Sequence, residues 1–252
     1  MEGPQPPTPR IDAVTFDFWD TLVAMDGLEG TMRERQIDGF ADTLLAHGHT
    51  YERERLVEVF AANWSRFEQR WEANTGQYTP ADATDFITEE LAVPITPTLR
   101  AELIDAFRVV GERADLFPAP GIVECLGSLK AAGVRLGIVC DVGLTSSPTL
   151  RDRLEGFELL AWFEAWSFSD ETGWFKPAAE AFRPALEGLG VTDPSRAAHV
   201  GDNPRTDVAG ARALGMTTIR YTAFRDVPPP EGMEADHVTD DHRKIPSLLW
   251  IG

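Results

Sequence analysis

Cysteine and lysine are the scarcest informative residues in this chain. Cys125 and Cys140 are the only cysteines in 252 residues, so no disulfide framework can hold the fold, and the cytoplasm is the expected compartment. Lysine occurs only as Lys130, Lys176 and Lys244. Basic residues are outnumbered, 23 Lys and Arg against 41 Asp and Glu, for a net charge of −18. That imbalance argues against general nucleic-acid binding, which needs cationic surface to neutralise phosphates, and disfavours docking on anionic lipid. No apolar run reaches the length of a membrane span. Residues 1–10 are rich in proline and lack the basic-then-apolar order of a signal peptide, so they read as a flexible tail.

The chain is long enough to bury a full core, and its 43% hydrophobic and 25% charged residues are ordinary for a globular protein. Residues 11–16 form a short apolar run of β-formers ending in the polar turn Asp17-Phe18-Trp19-Asp20-Thr21. For almost ninety residues after Gly27 the spacing changes to threes and fours: Ile37, Phe40 and Leu44; then Leu56, Phe60, Trp64, Phe67 and Trp71; then Leu99, Leu103, Phe107 and Val110. These stripes predict amphipathic helices packed as a bundle, with no strand among them. From Gly121 onward helices and strands alternate, with strands predicted at 134–140, 165–168, 197–200, 217–221 and 237–239 before a terminal helix. Such alternation predicts an α/β fold, a Rossmann-like parallel sheet with helices on both faces. The first strand precedes the helical block and the others follow it, so residues 27–116 are expected as an all-helical insertion into a core made of 11–26 and 117–252.

Aspartates gather at the ends of three predicted strands: Asp17 and Asp20 after the first, Asp141 after the second, Asp202 with Asp207 after the fourth. Open α/β sheets bind ligands beyond the carboxyl ends of their strands. Carboxylates brought that close raise one another's pKa unless a cation compensates, and a hard divalent ion such as Mg²⁺ suits oxygen ligands. Taken singly, each of these aspartates is as well explained as a helix cap or turn former, and Lys176 before Pro177 as a solvated lysine at a helix start.

Together, three stretches carry a resemblance. Val14-Thr15-Phe16-Asp17-Phe18-Trp19-Asp20-Thr21-Leu22, Phe175-Lys176-Pro177 and His199-Val200-Gly201-Asp202-Asn203-Pro204-Arg205-Thr206-Asp207 resemble, in order, the first, lysine and fourth motifs of the haloacid dehalogenase-like hydrolase superfamily. The helical insertion is similar to the small cap of many members. The resemblance implies that Asp17 is a covalent nucleophile, and that Asp17, Asp202 and a backbone carbonyl near Trp19 hold Mg²⁺, with Asp207 supporting the metal directly or through water. It also implies that Lys176 offsets the negative charge and orients Asp17, and that Thr21 hydrogen-bonds nearby and holds the turn. The expected partner is a small anionic substrate.

Two positions depart from the phosphatase pattern. Family phosphatases carry a second Asp, a general acid and base, where this chain has Trp19, whose indole only donates; Asp20 lies one residue further on. Loss of general acid–base help costs about 10²–10⁴-fold, so a phosphatase built this way is expected to be slow on generic substrates. Trp19 either packs under the cap or faces a ligand. Where a Ser or Thr hydroxyl is expected to bind a phosphoryl oxygen, the chain has Cys140 and then Asp141. Thr145 or Ser146 is a candidate substitute, Asp141 is a turn residue or meets a cationic part of a substrate, and Cys140 is also readable as buried structure. The 2-haloacid dehalogenases of the family share an aromatic at the Trp19 position but largely lack Asp202 and Asp207, so that reaction is the alternative, with Arg33 and Arg35 as its candidate clamp. A non-catalytic binding protein on the same scaffold is a third reading. The Schiff-base route of the phosphonate-cleaving branch is disfavoured, because no lysine lies between Gly27 and Pro118. Arg66 and Arg70 join Arg33 and Arg35 as cationic groups in the helical block.

Overall fold

Ala13, Val14, Thr15 and Phe16 form β1 (Ala13–Phe16), a strand buried on both faces. The computed structural model describes residues 11–25, 29–73, 76–113 and 116–249. The expected tail at 1–10, the boundary between 26 and 27, and the side chain of Val110 lie outside these. A tight loop after β1 leads to β2 (Val23–Met25), then to four helices: α1 (Glu29–Ala46), α2 (Arg53–Ala73), α3 (Pro80–Glu90) and α4 (Pro97–Arg113). The chain returns through β3 (Leu116–Pro118) and continues as α5 (Ile122–Ala131), β4 (Arg135–Cys140), α6 (Ser147–Gly156), β5 (Ala165–Phe168), α7 (Ser169–Thr172) and α8 (Ala179–Gly188). It ends with β6 (Ala197–Gly201), α9 (Ala209–Ala213), β7 (Thr217–Tyr221), β8 (His237–Thr239) and α10 (Ile245–Leu248).

Six strands make one parallel sheet in the order β5-β4-β1-β6-β7-β8. The two-residue period of a strand sorts its side chains. Val14 and Phe16 join Leu136, Ile138, Cys140, Ala198 and Val200 on one face, under α5, α6 and α10. Ala13, Val139 and Ala197 face the other way, against α8 and α9. Both faces are therefore covered, which is why these strands read as continuous apolar runs. The fold is α/β and Rossmann-like, as the alternation predicted. Because β1 lies between β4 and β6, the loops after these three strands open onto one small region.

The helical stripes pack together. Phe40 meets Phe60 edge to face at 5.3 Å and Phe107 at 5.7 Å, and Leu44, Leu56, Leu99 and Leu103 complete a separate cluster. α3 was missed in the sequence although its start is marked: Thr79 caps the helix, Asp82 returns a bond to the Thr79 N–H, and Pro80 sits at the first helical position. Such a cap contributes about 1 kcal/mol. The antiparallel ribbon of β2 and β3 also went unread, because its two short strands are separated by the whole helical block. The terminal helix is a single turn, preceded by a 3₁₀ turn at His242–Lys244.

That 3₁₀ turn fastens the C-terminal end to the loop after β1. His242 Nε2 lies 2.8 Å from the Thr21 carbonyl and its ring stacks on Tyr221 at 4.0 Å. Nε2 must therefore carry the proton and donate, while Nδ1 is buried without a partner. Burial pushes the His242 pKa down from 6.5 to about 4, outweighing the bond to Thr21. The unfolded chain binds this proton below pH 6.5 and the folded chain does not, so the contribution to stability is complete above pH 6.5 and falls as pH drops towards 4. The expected loss on going from pH 7 to pH 5 is about 2 kcal/mol. Urea melts of His242→Gln, which does not titrate, should show a correspondingly shallower pH dependence than the parent over that interval.

Candidate active site

Asp17 follows β1 directly, and its backbone N–H donates to the Val200 carbonyl at 2.8 Å, which ties the residue to β6. Asp202 follows β6 and Asp141 follows β4. Lys176 arrives from the loop before α8, fully enclosed, with Nζ 2.5 Å from Asp17 Oδ1, 2.6 Å from Asp207 Oδ1 and 3.2 Å from the Val139 carbonyl. These are charge-assisted bonds in a buried setting. Asp207 is held by every neighbour: Oδ1 also accepts from His199 Nε2 at 3.0 Å, and Oδ2 accepts from the Asn203 N–H at 3.0 Å. With Nε2 donating, His199 Nδ1 must accept, and the Thr15 hydroxyl supplies the proton at 2.9 Å.

Electrostatics separates the carboxylates. Burial raises Asp17 well above the usual carboxylate range, against the pull of Lys176. Burial also raises Asp202, with Asp207 and Asp20 adding to it, to about 7. Asp207 goes the other way, because Lys176 and His199 outweigh burial and hold it below the ordinary range. Burial opposes the charge on Lys176, yet Asp17, Asp207 and Asp141 keep its ammonium well above its usual value. His199 is lowered, chiefly by burial, and so is neutral.

Oxygens of Asp17, Asp202 and Asp207 all lie within 4.8 Å of one another, a spacing that a metal ion can bridge. Asp207 already accepts three protein donors and Asp17 Oδ1 takes the lysine, whereas among the described residues Asp202 has the guanidinium of Arg225 beside it, at 4.0 Å. Among the described residues Asp202 is thus the carboxylate of the three least engaged by protein donors. Burial disfavours the charged forms of Asp17 and Asp202, with Lys176 and the more distant Arg225 as the cations beside them, and a divalent cation bound among the three carboxylates would favour their ionised forms.

The other predicted residues are placed as follows. Thr21 is buried and hydrogen-bonds through its carbonyl to His242, while the Leu22 and Val23 N–H groups donate to the Phe18 carbonyl in the same turn; its hydroxyl has no hydrogen-bond partner among the described residues. Trp19 is half-buried, edge-on to Phe18 at 4.8 Å. Asp20 sits in the left-handed region at φ 53, which Asp tolerates better than most residues, and its N–H bonds the Val23 carbonyl. Cys140 is the last residue of β4 and follows the strand's alternation into the core with Phe16 and Ile138; burial lifts its thiol well above its ordinary pKa. Its side chain is packed within that core. Asp141 accepts from the Lys176 N–H at 3.0 Å and from Trp71 Nε1 of α2 at 2.9 Å, so each of its oxygens is engaged by a protein donor. Thr145 is buried in the loop after β4, its N–H on the Val142 carbonyl. Of the arginines in the helical block, Arg33 covers the Trp64 ring, Arg66 that of Phe86 and Arg70 that of Tyr78.

Sequence reasoning missed four participants. His199 lies two residues before Gly201 within a recognised motif, so its place was legible, but its role as a prop for Asp207 depends on Thr15 of a neighbouring strand. Trp71 was read as core packing alone. Arg225 and His242 belong to segments with no motif.

The chain matches the model of the haloacid dehalogenase-like hydrolases over residues 11–215. It is 26% identical over 249 residues to glyceraldehyde 3-phosphate phosphatase of Pyrococcus furiosus, covering 96% of this chain and 93% of the relative. Among solved structures, a 2-haloacid dehalogenase from Pseudomonas syringae pv. Tomato DC3000 superposes with a TM-score of 0.70 at 22% identity, over 95% of this chain and 98% of that one. An HAD phosphatase from Thermococcus onnurineus does so with 0.63 at 21% identity, over 96% and 99%. At such identities the likeness establishes the fold, and the fold is shared by both chemistries.

Gly201 is what lets Asp207 approach. A Cβ there would lie 2.2 Å from Asp207 Cγ and 2.6 Å from Oδ2, so the carboxylate would have to leave Lys176 and His199. Gly201→Ala is expected to lose about 1–3 kcal/mol of stability in urea denaturation. Gly156→Ala, at the end of α6 where a Cβ meets nothing within 4 Å, should be neutral. Equal losses in both would show that the close approach to Asp207 is unimportant.

Proposed function

Since the chain belongs to the haloacid dehalogenase-like hydrolase family, we propose that it is a Mg²⁺-dependent phosphatase of a small phosphorylated anion, with Asp17 as nucleophile and α1–α4 as a cap over the site. The convergence of Asp17, Asp202 and Asp207 oxygens within 4.8 Å of one another, beside the Lys176 ammonium, carries this reading. Ionised carboxylates here would repel an entering dianionic phosphoryl group, and a divalent cation would offset that repulsion. The names of the sequence relatives point the same way, with glyceraldehyde 3-phosphate phosphatase from Pyrococcus furiosus and phosphoglycolate phosphatase from Caulobacter vibrioides among them.

In this reading Lys176 fixes Asp17 through Oδ1 and leaves Oδ2 to attack phosphorus. The new Oδ2–P bond forms as the ester P–O bond breaks, and the leaving oxygen takes up a proton. Water then attacks the aspartyl phosphate, releasing inorganic phosphate and restoring Asp17. Mg²⁺ held by Asp17 and Asp202, with Asp207 behind, would supply neutralisation of the phosphoryl oxygens. His199 keeps Asp207 ionised and in place. Trp19 has no proton to give the leaving group, so the reaction relies on the leaving group's own acidity or on solvent.

A second reading is kept by that same Trp19: a hydrolytic dehalogenase needs no proton at this position. Against it, the cluster would repel a 2-haloacid carboxylate in the absence of metal.

Phosphate release from a panel of phosphomonoesters should require Mg²⁺ and vanish in Asp17→Asn. Halide release from 2-chloropropionate in EDTA would instead establish the dehalogenase. If neither product forms and Asp17 is not trapped by beryllium fluoride, the protein is a non-catalytic scaffold. Within the panel, aryl or acyl phosphates should turn over about 10²–10⁴-fold faster than alkyl phosphates, the span that general acid catalysis ordinarily closes. Equal rates would mean that another group supplies the proton.

A further inference from the structure

Lys176 is positioned from two sides. Its ammonium is bound to the core carboxylates, but its backbone is bound to the helical block. Phe175, the preceding residue, is fully buried in the cluster formed by α1–α4, edge-on to Phe67 of α2 at 6.1 Å. Leu144, from the loop after β4, packs into the same cluster. Between them stands Asp141. Its Oδ1 accepts the Lys176 N–H at 3.0 Å, and its Oδ2 accepts Trp71 Nε1 at 2.9 Å, from near the end of α2. One carboxylate therefore holds the catalytic lysine's main chain and the helical block together.

We propose that Trp71 and Asp141 are positioning residues that make the placement of Lys176 depend on the seating of the helical block. With the block seated, Trp71 fixes the carboxylate, the carboxylate fixes the Lys176 N–H, and Phe175 anchors the segment. The ammonium then lies between Asp17 and Asp207. When the block lifts, Asp141 loses one donor, Phe175 loses its packing, and the lysine is released from its main-chain side. Asp17 is consequently oriented for attack only while the site is covered, which keeps a covalent intermediate from forming in an open site. A carboxylate suits this position because each of its oxygens accepts separately, whereas an amide offers a single acceptor oxygen.

The inference rests on Lys176 as the residue that orients Asp17, and its decisive test does not need turnover. Hydrogen exchange at the Lys176 amide, read by NMR or in fragments that contain Phe175 and Lys176, is compared in Trp71→Phe, Asp141→Asn and Trp64→Phe. Trp71→Phe keeps the ring and removes the N–H, and Asp141→Asn removes one acceptor. Trp64→Phe removes an indole N–H that bonds Glu68 within α2, and so controls for general loosening of the helix. The first two should speed exchange at Lys176 about tenfold, the scale of one hydrogen bond, and the third should leave it unchanged. Unchanged exchange in both Trp71→Phe and Asp141→Asn, or equal acceleration in Trp64→Phe, would overturn the proposal. Given phosphatase turnover, Trp71→Phe should also lower kcat about tenfold while KM moves less than threefold; a rise in KM alone would assign Trp71 to substrate binding instead. An enzyme with no phosphatase activity would refute the proposed function while the exchange result still decides this one.

Discussion

A lysine ammonium enclosed between two carboxylates is the contact on which the rest of the site depends. Removing Lys176, Asp17 and Asp207 from water costs several kcal/mol per ion, and only close geometry with additional hydrogen bonds offsets it. The structure supplies those bonds from separate elements. Val139 of β4 offers a carbonyl to the ammonium, His199 of β6 and the Asn203 N–H hold Asp207, and Thr15 of β1 holds His199. Asp202 lies outside this lysine-bonded pair. Burial, with Asp207 and Asp20 adding to it, raises its pKa to about 7, and the proposed metal would favour its ionised form.

The sheet order explains why such a cluster is possible. A central β1 flanked by β4 and β6 brings three strand ends side by side, and each delivers an aspartate at or just beyond its last residue. The same alternation that buries Val14 and Phe16 sends Cys140 into the core. The position where a hydroxyl was expected is thereby a packing position in this chain, and the next residue, Asp141, has taken on a bridge between the core and the helical block.

Family membership and chemistry separate at Trp19. The neighbouring solved structures include a dehalogenase and a phosphatase on one fold, so the overall shape does not choose between them. The carboxylate cluster supports the proposed metal-assisted reading, and in that reading the aromatic at Trp19 bears on which esters react, through the proton it cannot give.

Much of this was legible along the chain. Periods of two and of three to four residues located the sheet strands and three of the four long helices, and Asp17, Lys176, Asp202 and Asp207 were marked by their strand and loop contexts. Local signals suffice there, since an element's burial pattern and a strand-end carboxylate are written in adjacent residues. Pairings between distant segments were not legible. The ribbon of β2 and β3 joins residues on either side of the helical block, the Thr21 carbonyl meets His242, and Asp141 meets Trp71. The functional weight of Asp141 and Trp71 comes from such a meeting. The sequence by itself determined the class of fold and the identity of the charged residues, because these follow from periodicity and composition. The tertiary structure decided which oxygen each donor reaches and how burial and neighbouring charges move each carboxylate's pKa, because those depend on distances between strands and loops that no single stretch of chain encodes.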